Sequence, residues 1–193
     1  MNDPNGDSSQ DDRILKRAGE TLRIEAEAIQ SLIPRLGDSF KEAVEMIKSL
    51  EGRLVITGMG KSGAIGRKLS ATFASTGTPA FFMHPAEGLH GDLGMVREED
   101  IVLAISYSGE TDEVQSILTP LQTIGPEVIA MTGNPDSVLG TVAEVVLDIS
   151  VEQEAGPLDL APTASSTATL ALGDALAMVL VDEQDFAEED FAR

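Results

Sequence analysis

Ile101-Val102-Leu103-Ala104-Ile105 is an uninterrupted apolar run, short and rich in β-branched residues, the pattern of a strand buried on both faces. At Ser106 it changes into Ser106-Tyr107-Ser108-Gly109-Glu110-Thr111-Asp112-Glu113, hydroxyls around one glycine, and Val114, Ile117, Leu118 and Leu121 then follow at helical spacing. A strand that passes into a helix through so short a turn presents unpaired backbone N–H groups, and the positive end of the helix dipole, above the sheet. Ser106, Ser108 and Thr111 add hydroxyl donors, and a phosphate fits such a place. Serine and threonine also act there as plain turn formers and caps. The ligand reading gains from a second stretch of the same design, Leu54-Val55-Ile56-Thr57-Gly58-Met59-Gly60-Lys61-Ser62-Gly63, where a glycine turn carries a lysine.

A chain of 193 residues, 42% hydrophobic, can bury one sizeable core, so one domain is expected. No run approaches the roughly 18 apolar residues that span a bilayer. The polar, acidic start, Met1 to Asp12, is unlike a secretory leader. With no cysteine there is no disulfide framework, thiolate nucleophile or cysteine-based zinc site, and the cytoplasm is the default compartment. A net charge of −20 and 4% aromatic content argue against nucleic-acid and anionic-membrane partners. An anionic substrate is still compatible with that charge, because charges beyond about 8 Å are largely screened at physiological salt and a local lysine with helix N-termini dominates nearby.

In chain order, residues 1–10 lack a periodic apolar face and read as a disordered tail, with one domain over 11–193. Within it, 11–52 is helical, 53–185 an α/β core and 186–193 a terminal segment. Leu15, Ala18, Leu22, Ala26, Ile29 and Ile33 predict a first helix ending at Pro34 and Gly37, packed on the sheet or on a partner chain. Ser39 with Glu42 reads as a capping box opening a second helix, whose apolar face is Phe40, Val44 and Ile47 and which stops near Gly52. Strands are predicted at 53–58, 80–83, 101–106, 127–132 and 144–149, and helices near 62–76, 111–124, 135–143 and 163–185. Helix-length connections imply parallel pairing with right-handed crossovers, hence a three-layer α-β-α sandwich with a five-stranded parallel sheet. A flavodoxin-like order, 2-1-3-4-5, would place the Lys61 turn and the Ser106–Thr111 turn on either side of the switch point. The last helix, apolar nearly all round from Ala168 to Val181 apart from Gly173 and Asp174, is expected to be buried between subunits as well as against the sheet.

Several segments together resemble the sugar isomerase (SIS) domain of the D-arabinose 5-phosphate isomerases: Gly58-Met59-Gly60-Lys61-Ser62-Gly63, Ala71-Thr72-Phe73-Ala74-Ser75-Thr76-Gly77-Thr78-Pro79, His84-Pro85, His90-Gly91-Asp92-Leu93-Gly94, Ser106 to Thr111 and Leu160-Ala161-Pro162-Thr163. They run in order over about residues 15–193, far more specific than a lone glycine loop. The resemblance implies interconversion of D-ribulose 5-phosphate and D-arabinose 5-phosphate without a cofactor, feeding the eight-carbon acid sugar of lipopolysaccharide or capsule, in a homotetramer. Two other readings stay open: an isomerase for another sugar phosphate such as a hexulose phosphate, and a non-catalytic sugar-phosphate sensor. No helix-turn-helix or basic region accompanies the domain, which weakens the sensor.

By the same resemblance Lys61, Glu113 and Glu154 match three of four catalytic positions. Aldose–ketose isomerisation needs a ring-opening group, a base that carries a proton between C1 and C2, and positive charge or N–H donors for the enediolate. Lys61 suits the phosphate or the enediolate. Glu154, in a loop before a hydroxyl-rich turn, is expected in a partly dry cleft with a raised pKa, as the proton carrier. Glu113 is expected to orient Lys61, or simply to sit at its helix N-terminus for dipole reasons. The resemblance places Gly60, Ser62, Gly77, Thr78, His84, His90, Ser106, Ser108, Gly109, Thr111, Ser165, Ser166 and Thr167 around the substrate, and implies an inhibitory metal at His84. The fourth position, a histidine in a His-Pro-Gly-Gly segment, falls beyond Arg193, as do the paired CBS modules of many members. The 193-residue chain is therefore expected to turn over poorly beside one extended past Arg193.

Overall fold

The structure is a computed structural model that describes residues 5–184. Residues 1–4 of the expected tail, residue 185 of the last predicted helix and the segment 186–193 lie outside the described residues.

Five short apolar runs form strands β1 (Leu54–Gly58), β2 (Ala80–Met83), β3 (Ile101–Ile105), β4 (Glu127–Thr132) and β5 (Val145–Asp148). They pair in parallel in the order β2-β1-β3-β4-β5. Side chains alternate between faces along each strand. Leu54 and Ile56 of β1, Ile101, Leu103 and Ile105 of β3, and Ile129 and Met131 of β4 join one core. Val55, Val102, Ala104, Val128 and Ala130 join the other. Both faces being covered, β1 and β3 are buried along their whole length.

The first core is closed by α2 (Asp38–Lys48), α3 (Gly60–Ser75) and α7 (Ala164–Glu183), through side chains such as Ile47, Leu69, Phe73 and Leu176. The second is closed mainly by α5 (Asp112–Ile124), with Val114, Ile117 and Leu121, and by α6 (Val138–Val142), with Leu139. A short helix, α4 (Pro85–Leu89), and a 3-10 turn, Asp92–Met95, link β2 to β3 and were not foreseen. The helices that follow β1 and β3 thus go to opposite faces, and a crevice opens at the C-terminal ends of these two adjacent strands.

Several expectations are corrected. Helix α1 runs from Asn5 to Leu32, so residues 5–10, expected as tail, are helical. Once a helix is nucleated, each added residue gains a hydrogen bond, and a helix extends through residues with no apolar face of their own. The face of α1 that packs inward is Ile24, Ala28 and Leu32. Leu15, Leu22 and Ile33 of the predicted stripe are 72%, 69% and 66% exposed, so of the two expected packings, on the sheet or on a partner chain, the sheet does not cover them. No capping box opens α2: Gly37 is its N-cap and Asp38 its first residue, with Lys41 Nζ donating to Asp38 at 3.0 Å. α6 is shorter than predicted because its cap is Ser137, whose hydroxyl accepts the Gly140 N–H at 3.2 Å.

Helix α7 is the one helix among the described residues long and apolar enough by composition to cross a membrane. Here it is a packing helix, with Ala168, Leu172, Leu176, Ala177 and Leu180 buried in the first core. Met178 and Val179 stay exposed.

The approach of α3 to β1 depends on two glycines. A Cβ on Gly63 would stand 2.6 Å from the Gly58 carbonyl oxygen, and one on Gly58 would stand 2.9 Å from the Ile105 carbonyl oxygen. These contacts are backbone and cannot rotate away. Gly63→Ala is therefore expected to cost about 1–3 kcal/mol, as overpacking does, read as a lower midpoint in thermal unfolding; an unchanged midpoint would show that the helix start is not tightly held.

Candidate functional site

The turn after β1 enters α3 with Gly60 in the left-handed region at φ +55°, and Lys61 and Ser62 follow in the first helical turn. The turn after β3 is held by its own hydroxyls. Ser106 Oγ lies 2.9 Å from Thr111 Oγ1 and accepts the Gly109 N–H at 3.1 Å, while Ser108 Oγ accepts the Glu110 N–H at 3.2 Å. Gly109, at φ +68°, lies so close to Ser137 that a Cβ would fall 1.8 Å from its hydroxyl. Glu110 reaches the start of α6, where its carboxylate accepts the Val138 N–H at 2.9 Å.

The third wall is the loop from β5 to α7. Glu154 lies at the N-terminus of α7, and its Oε2 accepts the Thr163 N–H at 2.7 Å, the Thr163 hydroxyl at 2.9 Å and the Ser165 N–H at 3.2 Å. The Ser165 hydroxyl donates to Oε1. The Glu154 N–H itself donates to Asp159 at 2.5 Å, and Asp159 holds the left-handed φ of +52°. Orphan donors of a helix start are thus satisfied by a carboxylate.

This geometry overturns the expected raised pKa of Glu154. Burial pushes it up, but the hydrogen bonds from Ser165 and Thr163 favour the charged form and together hold the carboxyl below the usual glutamate range. Glu154 stands ionised, able to accept a proton and held in one orientation.

The three walls enclose a cavity of about 390 Å³ that brings together Lys61, Ser62, Ser108, Thr111, Glu154, Ser165 and Ser166. Not on its lining are Gly60, Ser106, Gly109 and Thr167, which lie in or beside the same turns. Glu113 is the second residue of α5, is half-buried and does not line the cavity, and no ion pair joins it to Lys61 among the described residues. Its position matches the helix-dipole reading. Gly77 and Thr78 precede β2, at the N-terminal edge of the sheet, a strand's length from the cavity. His84 and His90 follow β2, the edge strand, and stand beside the crevice rather than in it. A metal at His84 does not fit this chain's donors: no three His, Cys, Asp or Glu side chains gather among the described residues, although His84 Nδ1 is buried with no hydrogen-bond partner.

Met59, Ile65, Tyr107, Asp159, Leu160, Pro162 and Thr169 also line the cavity and were not anticipated. Tyr107 and Met59 sit inside the two turn segments, so their place in the runs was the available signal. Asp159 gave none, since a left-handed aspartate in a loop is not legible from composition. The cavity therefore has a cation and a row of hydroxyls at the two sheet-edge turns, and an ionised carboxylate facing them from the third wall.

The chain belongs to the SIS domain family, whose pattern matches residues 47–179. It is similar to the arabinose 5-phosphate isomerase KdsD of Pseudomonas aeruginosa, 52% identical over 184 residues covering 95% of this chain and 56% of that protein. It is likewise similar to the arabinose 5-phosphate isomerase GutQ of Escherichia coli K12, 52% identical over 93% of this chain and 56% of the relative. The chain thus spans little more than half the length of these relatives. Among solved structures, that of E. coli CFT073 c3406 in complex with arabinose 5-phosphate superposes with a TM-score of 0.90 at 38% identity, covering 100% of this chain and 98% of that one.

A carboxylate whose folded-state pKa is depressed stabilises the fold above its unfolded pKa, and that stabilisation is lost as pH falls through the folded value. Glu154→Gln is expected to unfold at a lower temperature than the parent at pH 7, the gap closing as pH falls below about 4, the ordinary glutamate range. A gap that persists or widens in acid would contradict the hydrogen-bonded, ionised state.

Proposed function

We propose that this chain is the isomerase domain of an arabinose 5-phosphate isomerase, interconverting D-ribulose 5-phosphate and D-arabinose 5-phosphate. The observation that carries the reading is one cavity joining Lys61 and the Ser108–Thr111 turn to an ionised Glu154. The similarity to the named isomerases and to the c3406 sugar-phosphate complex supports it. In this reading the phosphate lies over the starts of α3 and α5, where N–H groups and hydroxyls converge. Glu154 removes a proton from C1 of the ketose and returns it at C2, while the hydroxyl proton of O1 passes to O2 of the enediolate, so that the carbonyl moves from C2 to C1. Lys61 compensates charge on the enediolate or the phosphate. The lowered pKa makes Glu154 a weak base, so rotation of the Ser165 hydroxyl from Oε1 toward the substrate would raise its basicity when proton transfer begins.

Homotetramer assembly belongs to the same proposal. Leu15, Leu22 and Ile29 recur at seven-residue spacing on α1 and stay 72%, 69% and 38% exposed, and Met178 and Val179 of α7 stay 47% and 36% exposed, an apolar surface that further copies would cover. The proposed product use is lipopolysaccharide or capsule synthesis in the cytoplasm, a compartment compatible with a chain that has no cysteine.

The test is incubation with five- and six-carbon ketose phosphates, with aldose product separated and counted, beside titration calorimetry with D-arabinose 5-phosphate. Expected are binding of the pentose phosphate, formation of arabinose 5-phosphate from ribulose 5-phosphate, and a loss of binding of about tenfold or more in Lys61→Ala, the scale of one charge-assisted contact. Preferential turnover of a hexulose phosphate would overturn the substrate assignment, and unchanged binding in Lys61→Ala would remove Lys61 from the site.

A further inference from the structure

The Glu154 loop is tied to the rest of the molecule at successive residues. Arg35 donates to the Ser150 carbonyl at 2.8 Å and to the Ser150 hydroxyl at 2.7 Å, and pairs with Asp148 at 3.0 Å. One residue on, the Val151 N–H donates to the hydroxyl of Tyr107 at 3.2 Å. Ala155 N–H donates to Thr163 Oγ1 at 2.8 Å. Of these anchors only Tyr107 belongs to the turn that carries Ser106, Ser108 and Thr111.

Tyr107 is itself held from two directions. Its carbonyl accepts the Gly133 N–H at 2.9 Å and lies 3.3 Å from the Thr132 hydroxyl, which fixes its backbone against the end of β4. Its ring lies on Gly133, where a Cβ would stand 2.8 Å from ring carbon Cε2, so a side chain at 133 would push the ring away. The ring lines the cavity and its hydroxyl reaches past it to the loop. A rigid aromatic with two side-chain torsions is suited to this span, because little rotamer freedom is lost in holding it.

We infer that Tyr107 is a positioning residue that joins the hydroxyl turn at the end of β3 to the loop carrying Glu154, so that the two sides of the cavity keep a fixed separation. The inference rests on the reading of Glu154 as the proton carrier. Tyr107 need not touch the reacting carbons. It acts through Val151, three residues before Glu154, and a bound phosphate that orders the Ser106–Thr111 turn orders the carboxylate as well. Gly133 leaves the space that the ring occupies.

Tyr107→Phe keeps the ring and removes only the acceptor. Hydrogen exchange followed by mass spectrometry is expected to show faster exchange across residues 151–155 in the variant, with β3 unchanged. In the isomerisation assay kcat for D-ribulose 5-phosphate is expected to fall about fivefold, the equivalent of one hydrogen bond of about 1 kcal/mol, while KM stays within about twofold. Unchanged exchange overturns the inference, as does faster exchange with unchanged kcat. A KM that rises in step with the loss of turnover also overturns it, since Tyr107 would then bind substrate rather than position a carboxylate. If the parent protein turns over no pentose phosphate, the function proposed above fails, and exchange alone then decides whether Tyr107 holds the loop.

Discussion

The site depends on the adjacency of two parallel strands whose following helices leave in opposite directions. β1 and β3 pair from Leu54↔Ile101 to Gly58↔Ile105, so both end at the same level. α3 then packs on the core that contains Leu69 and Phe73, and α5 on the one that contains Ile117 and Leu121. A crevice is unavoidable there, because no helix can cover the sheet at the point where the connections part. Two helix starts face into it, and each offers N–H groups that an anion satisfies better than water at a confined surface. The net charge of −20 does not act against this, since its distant carboxylates are screened while Lys61 and the helix dipoles are local.

The crevice alone would bind an anion and do nothing more. The proposed isomerisation needs a third element, and it is brought by the loop after β5, the far edge strand, which returns to the C-terminal ends of the strands before α7 begins. Glu154 fills the donor positions that open α7, so the helix start holds the carboxylate and the carboxylate caps the helix. The same bonds that orient Glu154 also reduce its basicity. In the proposed reaction structural capping and proton transfer compete for one group, and the hydroxyl of Ser165 is the contact that can be exchanged without disturbing the backbone bonds.

Much of this was legible in the residues. Continuous apolar runs marked the strands, helical spacing marked α3, α5 and α7, and the switch-point rule joined Lys61 to Ser108 and Thr111. What escaped were features set by tertiary contact. The hydroxyls of Thr163 and Ser165 read as a polar turn, and their convergence on Glu154 depends on how the loop folds back, which reversed the expected direction of its pKa. The stripe Leu15, Leu22 and Ile33 read as a face packed on the sheet or on a partner chain, and within the chain α1 turns Ile24, Ala28 and Leu32 inward, since periodicity marks an apolar face without saying which neighbour covers it. His84, His90, Gly77 and Thr78 entered by resemblance, and strand order together with strand direction sets them outside the cavity of this chain.

The most direct measurement is a crystal structure with D-arabinose 5-phosphate bound. The phosphoryl group is expected between the starts of α3 and α5, within hydrogen-bonding distance of Ser62, Ser108 or Thr111, with C1 and C2 of the sugar facing the Glu154 carboxylate. A phosphoryl group bound away from both turns, or a sugar whose C1 and C2 face away from Glu154, would contradict the account.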